Sequence, residues 1–345
     1  ANGSYYLTNP HDFRNAGGLS ATEAGLSTRT TTAATGDSGN GRMRYSQGIH
    51  ATEVWGPIER EDESVVDLGY HYDPVDIIIQ PGTGSHLYVS DYGGQGHLRV
   101  LPGVTIAFSH EIAYEPQNSR LFVYSNGMLE MDGNGQDPIR VSSTLLCGDE
   151  IGGPSPYVVP GSTGLYGGIL FYQDPGPSRI EYVTFEGASV GIELLQYHQG
   201  LNQPIYGCRF FGCDFALVHS SQSTFDVALD NCLVLNSRME GFVSVTAESG
   251  VGMKVTNSTF SKNDGSCVFL QRADGTAHEI RNSIFANNKD YGIAVYWGGE
   301  PDVEQYNGFY GNTTHASFDL DPATDLEDID PQFMNQDSPD LYARF

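Results

Sequence analysis

The chain has 345 residues and a formal net charge of −26, because 43 aspartates and glutamates outnumber 17 lysines and arginines. This charge disfavours nucleic acid, anionic membranes and polyanionic substrates as partners, since each is repelled unless cations bridge the contact. No apolar run of about 18 residues occurs, so no membrane-spanning segment is predicted. The 42 glycines and 20 tyrosines indicate a turn-rich β protein with a polar surface.

Residues 1–74 are predicted to be a loop-rich segment. They are rich in Thr, Ser, Gly and Ala, especially between Thr28 and Gly41, and they carry an acidic run at residues 59–63. Their apolar residues show no regular spacing, so loops with a few edge strands are expected here.

Strand-like pieces begin near residue 75. Each piece is a short run rich in large apolar and β-branched residues, which favours a β-strand. Gly-rich turns separate the pieces as far as residue 145. The pieces lie at residues 75–79, 86–89, 98–100, 104–106, 121–124 and 139–141.

A repeat of about 25 residues then runs from about residue 168 to residue 320. A small residue followed by a short apolar strand recurs at intervals of 25, 25, 25, 26 and 24 residues. Such self-similarity is typical of solenoids, and two strands with two turns in about 25 residues suit one coil of a parallel β-helix. The small residues assigned to equivalent places are Gly191, Ala216, Gly241, Ser266, Gly292 and Ala316.

A second strand shares the same period, and an Asn column precedes it. Small and large side chains of successive coils are expected to form interior stacks, and Asn is expected in the turns, where it tolerates left-handed dihedrals. Cys208 and Cys232 occupy equivalent places, which favours packing as small apolar residues over a disulfide. The strands begin at Cys208, Cys232, Ser258, Ser283 and Gly308, and the Asn column consists of Asn231, Asn257, Asn282 and Asn307.

Several segments resemble right-handed parallel β-helix proteins of bacterial cell surfaces, which have the pectin-lyase-like fold. The stretch Leu98–Ile106 and the strand pieces that follow it are similar to the opening coils of such proteins, and Asp330–Phe333 is similar to their closing segment. Three further closing motifs occur at the start of this chain, at Tyr5–Leu7, Asn15–Gly17 and Asp67–Tyr72. The motifs therefore stand in permuted order.

The resemblance implies an all-β fold, a right-handed parallel β-helix, with residues 75–345 as the solenoid. Residues 1–74 would then complete a neighbouring module, as in one period of a tandem array or filament, or cap their own helix. An open β-helix end exposes unpaired strand edges that favour pairing with another chain. Self-association with copies of the same protein is thus the predicted partnership.

Two classes of function fit this prediction. The favoured one is an extracellular or cell-surface structural or adhesive module that assembles head to tail, with extracellular glycans as further partners. The alternative is a carbohydrate-active enzyme, a lyase or hydrolase, or a glycan-binding domain. Asp214, Asp226 and Asp230 form the one close acidic set in the coils, but no catalytic residue is assigned. Exposed aromatics are the candidate sugar platform: Tyr197, Tyr291, Tyr296 and Trp297.

An acidic segment near the C-terminal side is the candidate metal site. It places six carboxylates within twelve residues, and Ca²⁺ prefers several hard oxygen ligands. Solvated surface charge is the alternative interpretation, and no other cofactor is predicted. The candidate ligands are Asp319, Asp321, Asp325, Glu327, Asp328 and Asp330.

Overall fold

The structure is a computed structural model in which fourteen stretches of the chain are described. Within them every regular element is a β-strand, and no helix long and apolar enough to cross a membrane occurs there. The stretches are residues 43–45, 48–57, 75–79, 86–90, 95–108, 119–143, 166–173, 175–195, 201, 204–219, 226–245, 252–271, 278–297 and 301–331.

The strands, numbered in chain order, form three sheets in which all pairs are parallel, and each coil adds one strand to each sheet in turn. Sheet A has 11 strands, namely β1 Met43–Tyr45, β3 Ile77–Ile79, β6 Thr105–Phe108, β9 Ile139–Ser143, β12 Val183–Glu186, β15 Arg209–Phe211, β18 Leu233–Leu235, β21 Thr259–Ser261, β24 Ile284–Ala286, β27 Gly308–Tyr310 and β29 Leu326–Glu327. Sheet B has nine, namely β4 His86–Val89, β7 Arg120–Val123, β10 Gly168–Tyr172, β13 Val190–Leu195, β16 Phe215–His219, β19 Phe242–Val245, β22 Val268–Gln271, β25 Tyr291–Trp297 and β28 Thr314–Ala316. Sheet C also has nine, namely β2 Thr52–Trp55, β5 His97–Val100, β8 Met128–Asp132, β11 Arg179–Glu181, β14 Ile205–Tyr206, β17 Val227–Asp230, β20 Met253–Thr256, β23 Glu279–Arg281 and β26 Val303–Gln305. The predicted all-β parallel β-helix is confirmed.

The solenoid begins upstream of residue 75. Strands β1 and β2 pair in parallel with β3 and β5, and Ile49 bridges to Val89 of β4. Trp55 and Ile49 are buried because they continue the interior rows of the coils that follow. The predicted boundary at residue 75 therefore falls inside the solenoid, and the three permuted motifs before residue 75 lie outside the described residues.

An aromatic stack forms the interior of sheet A. The ring centroids of Phe185 and Phe210 are 5.0 Å apart, and Phe285 lies 5.2 Å from Phe260 on one side and 5.2 Å from Phe309 on the other. All five rings are fully buried. Because equivalent residues of successive coils lie above one another, phenylalanines at equivalent positions of neighbouring coils pack ring against ring in an offset stack.

An asparagine ladder, formed by Asn263, Asn288 and Asn312, lines the corner between sheets A and B. Asn288 Oδ1 accepts hydrogen bonds from Asn263 N (3.0 Å) and Asn263 Nδ2 (3.1 Å), and Asn312 Oδ1 does the same for Asn288 (3.1 and 2.7 Å). The side-chain amides also donate to backbone carbonyls of the preceding coil, as Asn288 Nδ2 does to Phe260 O (3.3 Å). The ladder thereby satisfies backbone groups that the corner removes from the sheets.

A second ladder, formed by Ser258, Ser283, Asn307 and Asp325, lines the corner between sheets C and A. Ser258 N donates to Ser283 Oγ (3.2 Å), Ser283 N to Asn307 Oδ1 (3.0 Å), and Asn307 N to Asp325 Oδ1 (2.8 Å). The acceptor thus changes from hydroxyl to amide to carboxylate toward the last described coil.

The register corrects three sequence alignments. Ala316 is level with Ile293 rather than with Gly292, because Ala316 and Ile293 pair. Gly241 is level with Cys267 rather than Ser266, because Phe242 pairs with Val268. Asn307 is level with Ser283 rather than with Asn282, since Ile284 pairs with Gly308. The left-handed corner position, which Asn282 holds at φ 50°, is taken in the next coil by Tyr306 at φ 60°. Turns that differ in length from coil to coil cause these shifts.

The described cysteines are free and buried, which confirms that Cys208 and Cys232 stack as small apolar residues. Burial raises the pKa of the Cys208 thiol well above its usual value, and it raises the pKa of Cys213 to about 12. These thiols are therefore protonated and poorly nucleophilic. Cys147 lies outside the described residues.

Candidate functional site

The acidic segment predicted to bind calcium lies on the last described coil. Asp325 is buried, and the other five carboxylates are exposed. Asp321 Oδ1 accepts a hydrogen bond from Ala323 N (2.9 Å), while Asp328 Oδ1 faces His315 Nε2 at 3.1 Å. Among the described residues, no three His, Cys, Asp or Glu side chains are grouped so that they could hold a metal ion. The segment offers no preformed cage, and calcium binding stays a prediction.

Asp325 meets a carboxyl group that the sequence did not single out. Asn307 N donates to Asp325 Oδ1 (2.8 Å), and Asn307 Nδ2 donates to Glu304 Oε1. Burial and a hydrogen bond to the Asp325 carboxyl together raise the pKa of Glu304 to about 8, although the Asn307 amide opposes the shift. Both carboxyl groups therefore bind the same asparagine, and the raised pKa favours the protonated form of Glu304 at neutral pH.

The carboxylates weighed for catalysis each make a separate local contact. Asp214 Oδ1 lies 2.9 Å from Arg238 Nε, and Asp226 Oδ2 lies 3.6 Å from Lys254 Nζ. Asp230 Oδ1 accepts two hydrogen bonds from the next coil. Each of these carboxylates has a structural partner of its own.

Two histidines of the coils are buried. His219 and His278 are 0% and 2% exposed. Burial, and secondarily the charge of His278, lowers the pKa of His219 to about 4, against the opposing effect of Asp226. His278 Nδ1 accepts a hydrogen bond from Met253 N (3.2 Å), so this ring is part of the coil-to-coil bonding. His198 lies outside the described residues.

An aromatic patch, formed by His86, Tyr88, Phe122, Tyr124 and Tyr172, lies on the outer face of sheet B. The Phe122 ring is its centre, at centroid distances of 5.5 Å from His86, 5.3 Å from Tyr88, 5.9 Å from Tyr124 and 5.8 Å from Tyr172. All but Tyr124 are partly exposed, because outward residues alternate with buried ones along β4 and β7.

Polar groups border the aromatic patch. Arg120, two residues before Phe122 on the same face, forms an ion pair with Glu193 of β13, and each side chain is 20% exposed. Tyr124 Oη donates a hydrogen bond to Gln173 Oε1. Rings, a charge pair and an amide therefore share one surface.

The patch continues along the helix axis as an outer row of sheet B. The strand register places Tyr88, Phe122, Leu170, Glu193, Val218, Val243, Phe269 and Ala294 in one line. At about 4.8 Å per coil the row is about 34 Å long. Its one charged member is Glu193. Five members of the row are partly exposed, namely Tyr88, Phe122, Glu193, Val218 and Phe269, whereas Leu170, Val243 and Ala294 are buried.

The aromatic platform predicted from the sequence is only partly present. Tyr296 is 63% exposed, and its ring lies 6.1 Å from that of Phe269, at the far end of the outer row. Tyr291 is partly buried, and Tyr197 and the Trp297 side chain lie outside the described part. The patch around Phe122 was missed although its signal was present: aromatic residues at alternate positions of two successive strand pieces.

Three parallel sheets, interior stacks and corner ladders define a parallel β-helix protein. Residues 163–314, somewhat less than half of the chain, match the family described as the right handed beta helix region. The fold is thus a right-handed parallel β-helix. No curated protein and no solved structure gave a significant match to the chain.

Proposed function

We propose that the chain is an extracellular structural and adhesive module that binds a neutral glycan along the outer face of sheet B. The aromatic patch is the observation that carries this proposal. Sugar rings present C–H faces that pack on aromatic rings, while their hydroxyl groups need polar partners at the rim. Phe122 and its neighbours provide the rings, and Arg120, Glu193 and Gln173 provide the polar groups.

The geometry of the outer row suits a polymer better than a small molecule. The row is straight and repeats once per coil, because it is built from equivalent positions of successive strands. A chain of sugars laid along it would meet the partly exposed members of the row, beginning with Tyr88 and Phe122 in neighbouring coils about 4.8 Å apart. A neutral polymer is favoured because a net charge of −26 repels polyanions.

The test is a co-sedimentation assay with insoluble neutral polysaccharides (cellulose, chitin and xylan), with polygalacturonate beads as the anionic probe. We expect wild-type protein to bind at least one neutral polymer. The double variant Tyr88→Ala/Tyr172→Ala should bind at least about tenfold more weakly, since it removes two ring faces from the patch. The matched control is Tyr306→Asn, which changes a tyrosine that is 61% exposed but lies at a left-handed corner outside the patch.

Two results would contradict the proposal. One is the absence of binding to every neutral polymer, and the other is equal binding by wild type and the double variant. Release of reducing ends from a bound polymer would instead favour the alternative, a carbohydrate-active enzyme with its substrate on this surface.

End-to-end self-association is a second candidate, favoured by the last described coil. Leu326 and Ile329 are 57% and 58% exposed there, beside exposed carboxylates. Strand β29 pairs only with β27 within the described residues. Apolar side chains at a strand edge favour contact with a second copy, and carboxylates on that face would require bridging by a divalent cation such as Ca²⁺.

This candidate predicts calcium-dependent assembly. In sedimentation velocity, millimolar calcium should convert monomers into higher-mass species, and chelation should reverse the change. The variant Asp319→Asn/Asp321→Asn/Glu327→Gln/Asp330→Asn should lose most of the calcium response because it removes four of the five exposed carboxylates. A monomer at all calcium concentrations would exclude the candidate without affecting the glycan proposal.

A further inference from the structure

The ion pair at the edge of the aromatic patch crosses a strand. Arg120 lies on β7 and Glu193 on β13, and β10 runs between these two strands. Gly168 is the residue of β10 that is level with Arg120. Its φ is +81°, and a Cβ at this position would collide with Val190 O. No side chain fits there, so the outer face of β10 stays open and the two charged side chains meet across it.

The pair uses only part of its hydrogen-bonding capacity. One hydrogen bond joins Arg120 Nη1 to Glu193 Oε2, and within the described stretches Arg120 Nε, Arg120 Nη2 and Glu193 Oε1 have no other partner. A guanidinium is a fork of N–H donors, whereas a carboxylate only accepts. Each side chain is 20% exposed, so the remaining donors and the remaining acceptor are open to a ligand at the surface.

A second outward ion pair, formed by Arg140 and Glu186 on sheet A, is closed by comparison. Glu186 Oε2 accepts hydrogen bonds from Arg140 Nε (2.9 Å), Arg140 Nη2 (2.6 Å) and Ser142 Oγ (3.3 Å). The Arg140 fork is thus occupied by its own carboxylate, whereas Arg120 engages Glu193 through one nitrogen. Arg140 and Glu186 are at least as exposed as the first pair, at 33% and 27%, so the difference lies in geometry rather than in access.

The Arg120–Glu193 pair borders the place where a sugar ring would stack on Phe122. Arg120 lies two residues before Phe122 on the same face of β7, about 6.6 Å along the strand. Glu193 lies in the row of Phe122, two coils further on, and Leu170 between them is buried and offers no polar group. When the face of a sugar ring packs on Phe122, its equatorial hydroxyl groups point along the surface, toward the charged pair.

We propose that Arg120 and Glu193 select polymers whose sugars carry two adjacent free hydroxyl groups. This selection, which rests on the proposed glycan function, defines the substrate class of the same site. One hydroxyl oxygen accepts from Arg120 and the neighbouring O–H donates to Glu193 Oε1, so the pair binds both groups without being separated. Because the two side chains already hold each other, they lose little conformational freedom on binding. Cellulose and xylan carry such adjacent hydroxyl groups, whereas in chitin an acetamido group replaces one of them.

The experiment measures binding isotherms of the intact protein on cellulose, xylan and chitin. Wild type should bind cellulose or xylan at least about tenfold more tightly than chitin, because chitin leaves hydrogen bonds to the charged pair unmade. Arg120→Gln/Glu193→Gln keeps the net charge of −26 and should reduce this preference to less than about threefold. The matched control Arg140→Gln/Glu186→Gln neutralises the closed pair and should keep the wild-type preference.

The contributions of the rings and of the charged pair can be separated. Tyr88→Ala/Tyr172→Ala should weaken binding to every polymer by a similar factor and leave the preference unchanged. If binding depends on the rings but Arg120→Gln/Glu193→Gln retains the wild-type preference, the selection by the charged pair is overturned and the glycan proposal stands.

Wild-type binding to chitin that is as tight as binding to cellulose and xylan would also overturn the selection. This comparison uses unmodified protein, so it decides the question even if Arg120→Gln/Glu193→Gln folds poorly. Absence of binding to all three polymers, or binding that is independent of the rings, would overturn the glycan proposal and the selection together.

Discussion

Replacing Phe285 with alanine is expected to lower the free energy of unfolding by about 3–5 kcal/mol, the range for deleting a buried phenylalanine. The ring is fully buried between those of Phe260 and Phe309, at 5.2 Å from each. A cavity at this position removes two ring contacts as well as buried area, and the straight parallel strands on either side limit how far the coil can collapse. Urea unfolding, followed by circular dichroism, measures the change.

The matched control for Phe285 is Phe269→Ala. Phe269 lies on the neighbouring strand β22 but points outward and is only partly buried. Its truncation should cost clearly less, because part of the ring is already in contact with water in the folded state. Equal losses for the two variants would show that the interior stack contributes nothing beyond ordinary burial.

Replacing Asn288 with alanine is expected to destabilise the protein by at least about 3 kcal/mol, because several buried polar groups lose their partners at once. Its side chain accepts hydrogen bonds from Asn263 N and Nδ2, and it donates to Phe260 O and Asn312 Oδ1. Alanine can replace none of these bonds, and Asn288 is only 2% exposed, so water has little access.

Asn282→Gly is the control for the ladder variant. Asn282 belongs to the same coil, but it is exposed and holds a left-handed corner at φ 50°, which glycine adopts without strain. Its replacement should change the free energy of unfolding by less than about 1 kcal/mol. If both variants unfold at the same urea concentration, the ladder does not stabilise the fold in the way described.

The fold could be predicted from the sequence because a solenoid repeats its constraints. Each coil needs a small residue at the same corner and an apolar residue on the same inward face, so the repeat is visible in the chain. The exact register was less accessible, because a turn that gains or loses a residue shifts every later position. Cys267 and Asn307 were displaced by this effect in the sequence alignment.

The aromatic patch and the acidic segment were harder to predict than the fold, and the physical reason is different for each. The aromatic patch joins Tyr88, Phe122 and Tyr172, which are far apart in sequence and meet only through the strand register. The acidic segment was recognised by its composition, but composition could not show that Asp325 turns inward and accepts a hydrogen bond from Asn307 N. Six carboxylates close together in the sequence suggested a single ion site. In the folded coil, however, Asp325 points inward and the other five carboxylates are exposed.

Both corner ladders have a direction, and it coincides with the direction of synthesis. In each rung a backbone N–H of one coil is accepted by a side chain of the next coil, as Ser237 N is by Asn263 and Cys232 N is by Ser258. During translation, the most recently synthesised coil therefore lacks the side-chain acceptors that the next coil will provide, whereas the earlier coils already have theirs. The fold can then form coil by coil as the chain leaves the ribosome. At any moment only the last coil has backbone N–H groups that lack these side-chain acceptors.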